Sequence, residues 1–542
     1  MLKYGYKPPR KENFAMQVKP LKLEELSLEQ KIGMLITARG LGSQENADFI
    51  FEMIKKRALG GIQITVGPGA EKLVRKIREI ADYPILIGAD MEKGYPNSDL
   101  QIPSQMALGA IDDEELAYQF GAVTAIEAKS AGYSMIWSPI LDLLSGPAEC
   151  KVTRSLSDDP ELAARIGGAI LRGFYDNGVL ATAKHWPGGR DINNDGHMFK
   201  NVSKLTEEDI VSFDALPYKR AIDEGNLHGV MSGHTVYEKI DSYPTTLSKK
   251  MISILRNLGF DGMIITDSFA MIGILQRYGE KYCYGKSIEA GNDNILPNYR
   301  ISFRESYDMM MECYKEGIFS EERLNDAVRH VIEAQNFTMK PATLDAPSDY
   351  QRKCFDRISR ESVTVVKDEN VKLALAENTK KLFVIVSANY YNDEERGVSY
   401  EIGDVGSINS SNVNKFKSDI LKAYPDTDIV VINQLPSPNQ LEIASTAASK
   451  ADEVVFVNFT LSRSYIGSET VTKHIINLMA SMKEKLSAII QLGNPYAMQD
   501  IPHFPRYVMT MGGNLDSVEA ALDVLTEKTV ARGKMPMAVE FE

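Results

Sequence analysis

The chain has 542 residues, of which 44% are hydrophobic and 25% charged, and a formal net charge of −13. That length exceeds one ordinary core and the composition is that of a globular protein, so at least two domains are expected. The acidic balance excludes a general nucleic-acid binder, which presents a basic face, and no stretch nears the roughly 20 apolar residues that span a bilayer.

The opening MLKYGYKPPRKENF carries charges and a proline pair where a signal peptide needs an apolar run. Residues 1–24 read as an N-terminal extension. From there short apolar runs alternate with longer amphipathic ones. The expected strands are 34–39, 61–65, 84–90, 135–141, 180–186, 229–234, 263–268 and 293–297. Their unbroken apolar character suits parallel strands covered on both faces. Helical spacing lies between them, as in 161–178, which ends on Gly178.

Eight such units close a (β/α)₈ barrel, a TIM barrel, and residues 25–345 are assigned to it; a doubly wound open sheet is the rival. Asp90, Lys184, His185, His234 and Asp267 fall at the C-terminal ends of four expected strands, which favours the barrel, because active sites assemble at that face. Residues 346–374 are polar and read as a linker. A second α/β rhythm then occupies 375–542, as a smaller α/β sandwich with neither a GxGxxG nor a GxxxxGKS/T fingerprint. It is expected to be structural. Cys150, Cys283, Cys313 and Cys354 are dispersed, with no CxxC or zinc spacing, and fit reduced thiols in a cytoplasmic protein.

Two segments carry chemistry. In 258–271 an apolar strand stops at Thr266-Asp267. An ionised Asp at a barrel mouth can attack an anomeric carbon, or it can simply cap the following helix. In 181–199, Lys184 and His185 end a strand and Asp195-Gly196-His197 follows on a glycine-rich loop. A carboxylate two residues from an imidazole can fix its tautomer and raise its basicity, although an Asp-x-His on a loop is more often solvated surface. The loop lacks the preset geometry of a catalytic metal site, so no metal and no cofactor are expected.

Together these segments resemble glycoside hydrolase family 3, in its β-N-acetylhexosaminidase branch. Thr266-Asp267 matches the family's nucleophile motif, Lys184-His185-Trp186-Pro187-Gly188 its Lys-His-Phe-Pro-Gly segment, and Asp195-Gly196-His197 the branch's Asp-Ser-His loop. Met231-Ser232-Gly233-His234, 137–146, Arg154-Ser155 and Asp90 in GADMEKG are similar to further family segments, in consistent order over about residues 25–340.

The resemblance implies a retaining exo-β-N-acetylhexosaminidase acting on terminal β-linked N-acetylglucosamine. Asp267 would be its nucleophile and His197, assisted by Asp195, its acid/base. Asp90, Arg154, Lys184, His185 and His234 would hold the sugar. The implied partner is a small carbohydrate or amino-sugar glycoside, not nucleic acid or membrane. The alternatives are a β-glucosidase or an N-acetylglucosaminide phosphorylase of the same family, or a non-catalytic sugar-binding protein. An imidazole base leaves phosphate open as an acceptor, and Arg190 on the same loop could attract it. The chain departs from the family at Gly188-Gly189-Arg190, at Glu92-Lys93-Gly94-Tyr95-Pro96 and at Ser98, which border the sugar pocket and bear on substrate identity.

Overall fold

The computed structural model describes residues 18–39, 42–143, 146, 151–192, 194–367, 372–387, 390–393, 398–401, 410–460, 471–499, 501 and 506–539. Residues 1–17 of the expected extension, Cys150 and residues 368–371 of the expected linker lie outside the described residues. The chain divides into two compact units. The first comprises 1–101, 113–144 and 159–354, and the second 102–112, 145–158 and 355–542.

The first unit contains eight parallel strands in sequence order. They are β1 (Thr37–Arg39), β2 (Gly61–Gln63), β3 (Leu86–Ala89), β4 (Met135–Ile136), β5 (Leu180–Trp186), β6 (Gly229–Ser232), β7 (Met263–Ser268) and β8 (Asn294–Leu296). The sheet closes on itself: Ile36 bridges Ile295, whose N–H donates to Leu35 O at 2.8 Å. Closure decides for the barrel over the open sheet. Strand β4 is far shorter than the apolar run 135–141, because Pro139 has no N–H to offer the ladder. Pairing resumes beyond it, with Leu141 N–H donating to Lys184 O at 2.8 Å.

The helix Pro160–Asp176 shows how local sequence sets its ends. Asp159 caps it by accepting from the N–H groups of Glu161 and Leu162, and Pro160 stands in the first turn. Gly178 follows at φ 63°, where an added Cβ would meet Lys340 O at 2.2 Å, so only glycine fits. Strand β7 is set just as firmly. Met263, Ile264 and Ile265 are at most 1% exposed, and each such side chain contributes roughly 1.5–3 kcal/mol through burial.

Beneath the barrel, Asp293 enters β8 fully buried. Its carboxylate receives Arg256 Nη2 at 2.8 Å, Arg323 Nη2 at 2.5 Å, His330 Nδ1 at 3.1 Å and the Ile264 N–H at 2.8 Å. Asp293, Asp326 and His330 are close enough to suggest a metal site. Two guanidinium groups on the same carboxylate already balance its charge, so the cluster reads as an ion-pair hub.

In the second unit, six strands form one sheet. In chain order they are β9 (Thr364–Lys367), β10 (Lys381–Ser387), β11 (Thr427–Asn433), β12 (Glu453–Thr460), β13 (Leu486–Gly493) and β14 (Arg506–Thr510). Their spatial order is β9-β14-β13-β12-β10-β11, with only β9 antiparallel to its neighbour. Apolar helix faces cover the sheet on both sides, around Phe383 and Phe416 on one and Leu382 and Ile475 on the other.

The stretch 346–374 differs from the linker expected there. It contains the helix Asp349–Glu361 and strand β9. The helix is started by Ser348 and Gln351: the Gln351 N–H donates to Ser348 Oγ and the Ser348 N–H to Gln351 Oε1. That reciprocal cap is a helix signal inside polar sequence. Among the described residues, no helix is long and apolar enough to cross a membrane.

Candidate active site

Each barrel strand delivers its last residues to the same mouth. Asp267 is the penultimate residue of β7, with its side chain 19% exposed. It does not cap a helix. The next helix, Ile272–Tyr278, begins at Met271 with no side-chain cap, and Asp267 Oδ1 instead accepts from the adjacent Ser268 N–H at 2.7 Å. Oδ2 lies 3.8 Å from His185 Nε2. Burial alone would raise the Asp267 pKa. Charge on the neighbouring His185 imidazole, with the Ser268 N–H bond, offsets it and holds the carboxyl well below the ordinary range. Asp267 is therefore ionised at neutral pH, as a nucleophile must be.

His185 and Lys184 end β5, and both are buried. His185 Nδ1 donates to Asp142 Oδ2 at 2.7 Å, and its backbone N–H to Asp142 Oδ1 at 3.1 Å. This double grip fixes the ring with Nε2 toward Asp267. Asp142, with a fully buried side chain, is a positioning residue that sequence reasoning passed over. Its one signal was its place in the apolar 137–146 segment, whose contact with β5 only the closed barrel creates. Lys184 Nζ reaches Asp90 Oδ1 at 2.6 Å and Glu92 Oε1 at 2.8 Å. Lys184 is 3% exposed and Asp90 57%, so the pair runs from the barrel interior to the open mouth.

His234, just beyond β6, stacks on Phe269, accepts from Thr246 Oγ1 at Nδ1 (2.9 Å) and donates from Nε2 to Ser268 O at 3.1 Å. Burial lowers its pKa despite the nearby Asp267, so the ring is neutral and its proton sits on Nε2. His234 thereby braces the backbone beside Asp267.

The loop after β5 brings the remaining pair. His197 Nδ1 donates to Asp195 Oδ1 at 2.6 Å, and the same oxygen accepts the His197 N–H at 3.0 Å. Asp195 is buried and His197 partly open, with side chains 0% and 24% exposed. This is an oriented dyad, not solvated surface, and an imidazole held at Nδ1 exchanges its proton through Nε2. The loop is docked to the exit of β7, because the Ile272 N–H donates to His197 O at 3.0 Å.

Arg190 and Ser98 are both engaged by neighbouring groups. Arg190 does not stand ready for an anion: its Nε donates to Asp214 Oδ2 at 3.0 Å and its guanidinium lies over Phe213 at 4.5 Å. Burial raises Asp214 to about 7, even against that arginine. Ser98 donates to Glu127 Oε1 at 2.8 Å, and burial pushes Glu127 up to about 7. Arg154 belongs to the second unit, half-buried in a turn, where its N–H donates to Lys151 O at 2.8 Å.

Comparison with known proteins agrees with this geometry. Residues 27–334 match the glycosyl hydrolase family 3 N-terminal domain. A beta-hexosaminidase of Thiobacillus denitrificans is 31% identical over 236 residues, covering 41% of this chain and 66% of that protein. One from Nitrosomonas eutropha is 32% identical over 238 residues, covering 42% and 68%. Among solved structures, a family 3 beta-N-acetylglucosaminidase from Paenibacillus sp. superposes with a TM-score of 0.80 at 24% identity, over 95% of this chain and 100% of its own. A beta-glucoside phosphorylase does so with a TM-score of 0.78 at 22% identity, over 95% and 94%. At those identities the two solved structures establish the shared fold. The chain belongs to glycosyl hydrolase family 3, in its β-hexosaminidase branch.

Proposed function

We propose that the chain is a retaining exo-β-N-acetylhexosaminidase that hydrolyses terminal β-linked N-acetylglucosamine. The observation that carries this is an ionised Asp267 on the same barrel strand exit to which the Asp195–His197 dyad is tied. Asp267 attacks the anomeric carbon while imidazolium His197 gives its Nε2 proton to the leaving oxygen. The neutral His197 then takes a proton from water, which attacks the same carbon and frees Asp267. Asp90, Lys184, His185 and His234 orient the sugar. Hydrogen bonds from charged groups to hydroxyls strengthen as the ring flattens toward the transition state.

The beta-hexosaminidase relatives support the choice of sugar. Both reacting groups precede residue 300, and in this reading the chemistry needs no side chain from residues 375–542. The buried thiols of Cys283, Cys313 and Cys354 support a reducing, cytoplasmic setting. Turnover of p-nitrophenyl β-N-acetylglucosaminide at least about a hundredfold above the β-glucoside is expected, roughly the 2.7 kcal/mol of one well-made substituent contact. A preference for the glucoside would overturn the sugar assignment, and turnover of neither would overturn the enzyme.

A further inference from the structure

The loop after β5, which carries Asp195 and His197, is fastened at its base by two consecutive residues of opposite charge, Arg190 and Asp191. Asp191 ties the start of the loop to its end, its Oδ2 accepting from Ser203 Oγ at 3.0 Å and from the Lys204 N–H at 2.9 Å. Arg190 ties it to the segment Ile210–Asp214. Its Nε donates to Asp214 Oδ2 at 3.0 Å and its Nη2 comes within 3.8 Å of Asp209 Oδ1. The guanidinium rests on the Phe213 ring, 4.5 Å from the centroid. The Tyr237 hydroxyl adds a further tie, donating to Gly188 O at 3.0 Å.

Asp214 closes a single π-helical turn, in which the Ala215 N–H donates to Ile210 O at 2.8 Å. Such a turn inserts one residue into a helix and re-aims the side chains around it, and it recurs at functional sites. Here it accompanies a buried carboxyl that is only half satisfied. Oδ2 meets Arg190, whereas Oδ1 has no hydrogen-bond partner among the described residues. Oδ1 faces the loop's first turn, where a Cβ added at Gly188 would lie 3.5 Å from it. Burial raises the Asp214 pKa to about 7 against the pull of Arg190, so the fold disfavours this charge instead of drawing stability from it. Apolar residues of the same volume often match a buried ion pair in stability, and what the pair adds is a fixed geometry. Arg190 also lies in a stretch where the chain departs from its family.

We propose that Arg190 and Asp214 are positioning residues for the reaction, which together hold the Asp195–His197 dyad where Nε2 reaches the leaving oxygen. The inference rests on the acid/base reading of His197 and assigns neither residue a contact with the sugar. The planar guanidinium gives the tie its direction, which a flexible ammonium does not reproduce. A dyad displaced by about 1 Å loses proton transfer, while Asp267 keeps its place on β7. The loss therefore falls on substrates whose leaving oxygen needs a proton.

The test compares kcat/KM for phenyl and dinitrophenyl β-N-acetylglucosaminide in the full-length wild type and its variants. Arg190→Met fills the seat over Phe213 without an N–H, and Asp214→Leu fills the carboxyl's space without an acceptor. Each is expected to lower the phenyl value by about tenfold or more and to leave the dinitrophenyl value within about twofold of wild type. Arg190→Lys, which keeps a donor, and Asp214→Asn, which keeps an acceptor, should each retain part of the phenyl activity. Equal losses on both substrates would show a merely structural role and overturn the proposal. Wild-type activity on the phenyl glycoside in either Arg190→Met or Asp214→Leu would overturn it too. His197→Ala, measured in parallel, tests the reading beneath. If it leaves the ratio of the two substrates unchanged, or if the wild type turns over neither, that reading fails, and hydrogen exchange then decides the positioning alone. The backbone N–H groups of His197, Met198 and Phe199 all donate to Asp195. Their faster exchange in Arg190→Met, with the barrel strands unchanged, upholds the tie, and exchange at the wild-type rate overturns it.

Discussion

Asp267 and His197 divide the chemistry by charge. The carboxylate stays ionised because charge on the nearby imidazole of His185 and the Ser268 N–H offset its burial, and the imidazole of His197 is held by a single buried carboxylate. An imidazole with a reference pKa of about 6.5 can give and take a proton near neutrality, so no second carboxylate has to be tuned upward. His197→Ala is expected to slow substrates with poor leaving groups by about 100-fold or more. Dinitrophenyl glycosides, whose leaving oxygen needs no proton, should slow far less. The check is the slope of log kcat/KM against leaving-group pKa. A slope equal to that of the wild type would remove His197 from the acid role. The same scale shows where the sequence was legible. Lys184, His185, His234 and Asp267 sit at strand ends, and strand ends are readable from apolar runs. Asp142, Thr246, Ser268 and Arg39 act through contacts between segments far apart in the chain, which no local pattern encodes.

Among the elements, β7 and β8 are held in register by one buried charge. Asp293 links the start of β8 to β7 through Ile264 N–H, to the helix Lys249–Asn257 through Arg256, and to the helix Glu321–Phe337 through Arg323 and His330. Removing that carboxylate leaves buried cations without their partner, so Asp293→Ala is expected to cost about 3–5 kcal/mol in urea unfolding. A loss below about 1 kcal/mol would mean the hub is dispensable. Burial would raise the Asp293 pKa, but His330, Arg256 and Arg323 bring it down to about 2. Its folded pKa lies below the unfolded one, so its stabilisation of about 2 kcal/mol is complete above pH 4. It is lost as pH falls from 4 toward 2, and the variant's unfolding midpoint should be flatter across that window. The elements also show where pattern reading failed. All eight barrel strands were legible as apolar runs, yet β4 was cut short by Pro139 and a helix arose in polar sequence from the Ser348–Gln351 cap. Such local backbone chemistry overrides average composition.

For the whole molecule, barrel closure is what turns scattered motifs into a site. Residues from Asp90 to Asp267 are 177 positions apart in the chain, and closure places them around one mouth. The chain's division into units was less legible. Residues 102–112 and 145–158 precede the barrel's end in sequence but cluster with the second unit. The claim on which everything else depends is the covalent bond to Asp267. A 5-fluoro-β-N-acetylglucosaminyl fluoride slows release of the glycosyl-enzyme more than its formation, so the intermediate accumulates. Peptic digestion and mass spectrometry of the inactivated protein should place one sugar on the peptide that contains Thr266-Asp267-Ser268. A label on any other carboxylate, or time-dependent inactivation of Asp267→Asn at the wild-type rate, would contradict it.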